Sequence, residues 1–190
     1  MAIRQPKAPR QAFPVSKYHG RRMSEAEFLS LPEEKPYLEY VDGVVLQKPI
    51  PTREHRKLVE ELVYRIGRYR REHGGSAGPE GRVRLPDGSG YRIPDAAYWA
   101  PGRDDSDDSV PSVAIEVRSP GQSLVELRRK CRSLRQNGVD VCWLIDPTTR
   151  SVEVFEGGRD GEPRDRGALE TPVMPGFSPP LEELFAVLDS

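Results

Sequence analysis

Apolar positions recur at helical spacing in two long segments of the chain. From about residue 52 to 73, and again from about 124 to 137, apolar side chains fall three or four residues apart. Thr52 is suited to cap the first segment, and glycines follow both. The pattern predicts two long helices at these places. Weaker signals predict short helices at residues 23–29 and 181–188.

Short apolar runs between the helical segments are typical of β-strands. Residues 37–41 and 44–46 flank Asp42-Gly43, a pair that favours a two-residue hairpin turn. Further runs predict strands near residues 81–85, 91–100, 112–120, 141–146 and 151–155. Because helices and strands alternate along the chain, we expect an α/β (α+β) fold in which one mixed β-sheet is flanked by helices.

The composition indicates a globular protein without a membrane segment. The chain has 190 residues, of which 36% are hydrophobic and 31% charged, with a net charge of −1. This length predicts a single domain over residues 23–190, preceded by a flexible basic extension over residues 1–22. No apolar run approaches the roughly 20 residues of a membrane span. Two cysteines are too few for a disulfide framework, so we expect a cytoplasmic protein.

Two carboxylates stand out because each occupies a core-like position in an apolar strand. Asp95 lies in the run 91–100 and Glu116 in the run 112–120, and buried carboxylates are rare unless paired or metal-bound. If the strands are neighbours, side-chain alternation brings both carboxylates to one patch. Mg²⁺, or Mn²⁺ in its place, favours such oxygen ligands and suits phosphodiester hydrolysis. The alternative is structural: Asp95 caps a turn, and Glu116 pairs with Arg118 on an exposed face.

The order and spacing of several segments resemble a known nuclease family. The segments are Pro94-Asp95, Ala114–Pro120, Lys130, Asn137–Val139, Cys142–Pro147 and Val152–Phe155, with Glu39–Gly43 and His55 upstream and Pro175–Phe177 with Leu181–Phe185 downstream. Together they resemble the Uma-type family of putative restriction endonucleases, within the PD-(D/E)XK nuclease superfamily. The resemblance covers nearly everything after residue 23. It implies a restriction-endonuclease-like core and divalent-metal-dependent cleavage of DNA.

The resemblance also implies roles for individual residues. Asp95 and Glu116 would bind the metal, and Glu39 would supply a further carboxylate unless it is a solvent-facing hairpin residue. Arg118 stands where the superfamily pattern has lysine; because arginine stays protonated it cannot be a general base, but it can hold a phosphate. Lys130 would take over the lysine's role from the following helix. Its alternative is one more solvated cation on a basic helix.

Two functions from different classes are compatible with the sequence. The leading hypothesis is a Mg²⁺-dependent endonuclease, in which His55 and Gln122 either contact the site or serve only the helix start and a turn. The rival is a catalytically silent nucleic-acid-binding or interaction module that retains the nuclease fold. Hydrolysis of another phosphate ester is a third option. Double-strand cleavage by a single-site fold would suggest a homodimer.

Overall fold

The computed structural model describes residues 15–190. This part of the chain contains two β-sheets and four helices, joined by loops. The helices are α1 (Glu25–Leu29), α2 (Arg53–His73), α3 (Leu124–Gln136) and α4 (Leu181–Ala186). The strands are β1 (Leu38–Val41), β2 (Val44–Gln47), β3 (Ser76–Pro79), β4 (Val83–Leu85), β5 (Gly90–Arg92), β6 (Ala96–Trp99), β7 (Val113–Val117), β8 (Val141–Asp146) and β9 (Ser151–Glu156).

The two long helices begin and end as their sequence pattern predicts. The Thr52 hydroxyl accepts a hydrogen bond from the backbone N–H of His55, and α2 stops at Gly74. Ser123 caps α3 in the same way through Glu126. No helix within residues 15–190 is both long and apolar enough to cross a membrane.

The larger sheet lies between helices and forms the centre of the molecule. Its five strands run in the order β3-β6-β7-β8-β9, and β7 pairs parallel with β8 while the other pairs are antiparallel. One face packs on α2 and α4 around Trp143 and Tyr98. The other face packs on α3, with Ala114 of β7 against this second core. Alternation along β7 therefore directs Glu116 to the α3 side.

The sheet organisation differs from the predicted single mixed sheet. A second sheet of four antiparallel strands, in the order β2-β1-β5-β4, packs around Phe28 and Tyr91. The run 91–100, predicted as one strand, is divided between the two sheets because β5 ends at Arg92 and β6 begins at Ala96. Pro94 lies at the division and has no N–H to donate to a strand ladder. The break places Asp95 at the junction of the sheets.

Part of the predicted N-terminal extension lies against the smaller sheet. Residues 1–14 of that extension fall outside the described residues. Further on, Gly20 N–H donates to Val45 O at 2.8 Å, and Val45 N–H donates to Arg21 O at 2.9 Å. The chain therefore runs along the free edge of β2 before α1 begins.

Two glycines test how tightly the backbone is packed. Gly90 in β5 has φ +132°, and a Cβ there would overlap the Tyr40 carbonyl oxygen. We expect Gly90→Ala to lower the free energy of unfolding by about 3 kcal/mol, since both strain and a backbone clash arise. A Cβ on Gly67 in α2 would meet no atom within 4 Å. Gly67→Ala should therefore raise the free energy of unfolding by about 0.5–1 kcal/mol. Urea denaturation measures both, and equal midpoints for Gly90→Ala and the parent would contradict the packing.

Candidate active site

Three buried carboxylates meet where the two sheets join. Glu39 comes from β1, Asp95 from the link before β6, and Glu116 from β7, with relative exposures of 6%, 5% and 2%. In the antiparallel β6–β7 pair Ala96 lies opposite Ile115, and Asp95 N–H donates to Ile115 O at 2.9 Å. Asp95 therefore lies beside Glu116. The link also holds Glu39, whose Oε1 accepts the Ile93 N–H at 2.8 Å.

Lys130 reaches this cluster from α3. Its Nζ lies 2.6 Å from Glu39 Oε1 and 2.8 Å from Glu116 Oε1, and it donates to the Ile93 carbonyl at 3.2 Å. Its side chain is only 10% exposed. Lys130 is therefore the cation that joins two of the predicted carboxylates, and it is not a solvated cation on a basic helix.

Asp95 has its own set of partners. Oδ1 lies 2.8 Å from Lys48 Nζ, while Oδ2 accepts the Val117 N–H at 2.8 Å and lies 3.1 Å from His55 Nε2. His55 thus both starts α2 and contacts the site, so the two roles considered for it coincide. Sequence reasoning missed Lys48, which follows β2 in a loop and belongs to no periodic pattern.

Arg92 was missed as well. Its Nη1 lies 3.3 Å from Glu39 Oε2, and both side chains are about nine-tenths buried. Arg92 is the last residue of β5, next to the strand that carries Glu39. A signal existed here, since a cation at the end of the run before Pro94 could have been paired with a carboxylate on a neighbouring strand.

The pKa values of the three carboxyl groups shift in different directions, because each group has different neighbours. Burial alone would raise the pKa of each, but Lys130 and Arg92 outweigh it at Glu39 and hold that pKa below the ordinary value. Lys48 and the hydrogen bond from His55 lower the pKa of Asp95 in the same way. At Glu116 burial prevails over the attraction of Lys130, and Asp95 adds repulsion, so the pKa rises to about 7.

The pKa of Lys130 moves in the sense that keeps it charged. Burial works to lower this pKa, but the carboxylates of Glu116, Glu39 and Asp95 outweigh burial and raise it. The ammonium group therefore stays protonated between its carboxylates at neutral pH.

Arg118 has partners other than the carboxylates predicted for the site. Its Nη1 lies 2.7 Å from Asp146 Oδ2, and its Nε donates to the Gln122 carbonyl at 3.1 Å. The Gln122 side chain in turn accepts the Ser119 N–H at 2.7 Å. These contacts hold the turn between β7 and α3. The backbone N–H of Arg118 still donates to the Ile145 carbonyl at 2.8 Å, so it is the ion pair with Asp146 that occupies the guanidinium.

The carboxylates line an open cleft of about 780 Å³. Its walls come from the smaller sheet, the end of β7, the start of α2, and α3 with the turn before it. Asp95, Glu116, Lys48, His55 and Lys130 all line it. This concave site, with its cluster of charged side chains, is accessible to a ligand from outside the protein.

The residues of the cleft fit a divalent cation held by few protein ligands. Within residues 15–190 no group of three or more His, Cys, Asp or Glu side chains has the arrangement of a metal site. Mg²⁺, however, commonly takes one or two carboxylates together with water and substrate phosphate. Glu116 Oε1 is buried, and Lys130 Nζ lies 2.8 Å from it without an aligned hydrogen bond. Such an oxygen next to Asp95 suits a hard cation.

Comparison with known proteins identifies the family. The family model Uma2, described as "Putative restriction endonuclease", matches residues 25–188. The chain belongs to this family. The match includes Glu39, Asp95, Glu116 and Lys130, and it confirms the resemblance seen in the sequence. No curated protein matches the chain.

A solved structure supports the same conclusion. The crystal structure of a putative nuclease belonging to DUF820 from Anabaena variabilis ATCC 29413 is 26% identical to this chain, with a TM-score of 0.77. The match covers 87% of this chain and 99% of that one. It confirms the predicted fold class, and together with the family it supports a nuclease function.

Removing Lys130 tests what neutralises the buried carboxylates. We expect Lys130→Met to lower the free energy of unfolding by about 3–5 kcal/mol, since two carboxylates lose their shared cation. Arg132→Met, a control on the same helix, loses a surface pair with Asp160 and should cost no more than about 1 kcal/mol. Adding Glu116→Gln to Lys130→Met should restore part of the loss. Urea denaturation in chelator measures all three, and equal losses for Lys130→Met and Arg132→Met would contradict the assignment.

The raised pKa of Glu116 predicts a pH effect in the presence of chelator. With a folded pKa of about 7 and an unfolded value of about 4.3, the native state keeps a proton that the unfolded chain releases. Glu116 therefore makes the protein less stable as pH rises between these values. Glu116→Gln removes this dependence, so its stability relative to the parent should increase by on the order of 1–3 kcal/mol from pH 5 to 8.

The exposed Glu72 provides a matched control for this measurement. Glu72→Gln should follow the parent across the whole pH range in urea unfolding. If the Glu116→Gln profile also ran parallel to that of the parent, the raised pKa would be refuted.

Proposed function

We propose that this protein is a divalent-metal-dependent endonuclease that hydrolyses DNA phosphodiester bonds. The observation that carries the proposal is that Asp95 and the buried Glu116 lie side by side in an open cleft. Burial also raises the pKa of Glu116 to about 7. Perturbed carboxylates in a cleft are typical of catalytic sites. Membership of a restriction endonuclease family supports DNA as the substrate.

Asp95 and Glu116 would hold the cation, with Glu39 as a further carboxylate. All three offer hard oxygen ligands, which suit Mg²⁺ and also Mn²⁺. When bound, such an ion would polarise the scissile phosphate and favour ionisation of the attacking water. β7 fixes Glu116, and the hydrogen bond from Asp95 N–H to Ile115 O fixes Asp95 beside it, so their relative position is set before substrate arrives.

Lys130 is suited to act on the charge that develops during hydrolysis. Its ammonium group stays protonated beside Glu116 and is directed towards the same patch as Asp95. A fixed cation at this place stabilises the negative charge that builds on the phosphate oxygens. The predicted action of Arg118 on phosphate gains no support from its contacts with Asp146 and the Gln122 carbonyl; they favour a role in holding the turn.

The rim of the cleft offers groups that can contact the DNA backbone. Arg129 is exposed on the same helix as Lys130 and lines the cleft. His19 lines the opposite wall, beside β2. An arginine in such a position binds phosphate without reading bases. Cutting both strands would in addition require two copies of the site, which favours a homodimer.

A catalytically silent nucleic-acid-binding module remains the second candidate, and one observation favours it. Asp95 and Glu39 are already neutralised by Lys48, Lys130 and Arg92. Carboxylates paired in this way can stabilise a fold without binding any metal. Such a module would bind DNA equally well with and without divalent ions.

Plasmid nicking tests the proposed function. The parent protein should convert supercoiled plasmid to nicked or linear DNA with Mg²⁺ or Mn²⁺, and chelator should abolish the conversion. Asp95→Asn and Glu116→Gln should each lower the rate by about 100-fold or more, since each removes a ligand charge. Gel electrophoresis over a time course measures the rates.

Glu72→Gln is the control variant, because Glu72 is an exposed carboxylate at the end of α2. It should cut at the rate of the parent. Circular dichroism shows whether each variant is folded. Cutting at the parental rate by folded Asp95→Asn and Glu116→Gln would refute the mechanism, and metal-independent DNA binding without any cutting would favour the silent module.

A further inference from the structure

We propose that Lys48 is a positioning residue that competes with the divalent cation for Asp95 and thereby sets the affinity of the site. The inference rests on the proposed metal-dependent function and concerns a residue outside the predicted site. In the structure the Lys48 ammonium occupies one side of the very carboxylate that would bind the cation. Lys48 therefore weakens cation binding until the ion displaces it.

The hydrogen bonds of Asp95 show which oxygen is open to exchange. Oδ2 accepts the Val117 N–H, which is fixed in β7, and contacts His55, which is fixed at the start of α2. Oδ1 is held by Lys48 Nζ at 2.8 Å. A backbone donor within a sheet cannot move away without breaking the ladder, whereas an ammonium on four methylenes can. The cation would therefore approach Asp95 through Oδ1.

The anchoring of Lys48 supports this exchange. Its backbone N–H donates to the Tyr37 carbonyl at 2.9 Å, so the main chain stays in place when the side chain moves. The residue lies in the loop between β2 and α2, where Pro49 follows it. Its side chain lines the open cleft. The ammonium can thus leave Asp95 without any change in the fold.

Lys130 is placed differently and is not the residue that exchanges. It projects from α3 and lies within ion-pair distance of Glu39 and Glu116 at the same time. Lys48 and Lys130 both donate to the Ile93 carbonyl, at 2.9 and 3.2 Å. Two ammonium groups around one oxygen repel each other, and a divalent ion beside them adds to that repulsion. Lys48 pairs with only one of the three carboxylates, Asp95, whereas Lys130 pairs with two. Release of Lys48 therefore relieves this repulsion and breaks fewer ion pairs than release of Lys130 would.

Titration with Mn²⁺, followed by the loss of its free-ion electron paramagnetic resonance signal, measures the competition without any cleavage assay. We expect Lys48→Met to bind Mn²⁺ about tenfold more tightly than the parent, since both a competitor and a repelling charge are removed. Lys48→Arg keeps the charge and should stay within about twofold of the parent. Circular dichroism confirms that each variant is folded.

Lys57→Met is the matched control, because Lys57 bonds with Val187 and Ser190 at the far end of the chain. It should bind Mn²⁺ as the parent does. Equal or weaker binding by Lys48→Met, with Asp95→Asn still abolishing binding, would overturn the role of Lys48 and leave the proposed function intact. Absence of binding by both the parent and Lys48→Met would overturn the cation dependence and this inference together.

Discussion

The burial of three carboxylates around Lys130 is the constraint on which this structure depends. Glu39, Asp95 and Glu116 each leave water almost completely, and removing a single charge from solvent costs several kcal/mol unless it is compensated. Lys130 compensates two of them through contacts shorter than 3 Å. Apolar residues in these places would avoid this desolvation cost, so stability alone does not explain the cluster.

The break between the two sheets is what brings the carboxylates together. The link from β5 to β6 donates the Ile93 N–H to Glu39, offers the Ile93 carbonyl to two lysines, and places Asp95 beside Glu116. A continuous strand through Pro94 would use these backbone groups in a ladder. Because the link has left the ladder, its polar groups are free to build the site. The same division explains why two sheets are present where the sequence suggested one.

The three carboxyl groups of the cluster differ in how far their neighbouring cations offset burial. Asp95 and Glu39 have lowered pKa values because nearby cations outweigh burial, whereas burial dominates at Glu116 and raises its pKa to about 7. Environments that separate the pKa values of neighbouring carboxyl groups in this way are typical of sites in which one group stays charged and another takes up and releases a proton. This asymmetry connects a fold shared with a nuclease family to the chemistry proposed for the cleft.

The sequence alone determined the two long helices, the hairpin at Asp42-Gly43 and the strand that carries Glu116, because these follow from periodicity and turn chemistry. It predicted a strand position for Asp95 as well, which the structure places in the link between β5 and β6. It offered Lys130 as a candidate beside the apolar stripe of α3, with a solvated cation as the alternative, and the structure places its ammonium between Glu39 and Glu116. Only the tertiary structure decided that Lys48 and Arg92 join the cluster and that Arg118 pairs with Asp146. Ion pairs between residues far apart in the chain leave no periodic signal, because their partners meet only when the chain is folded.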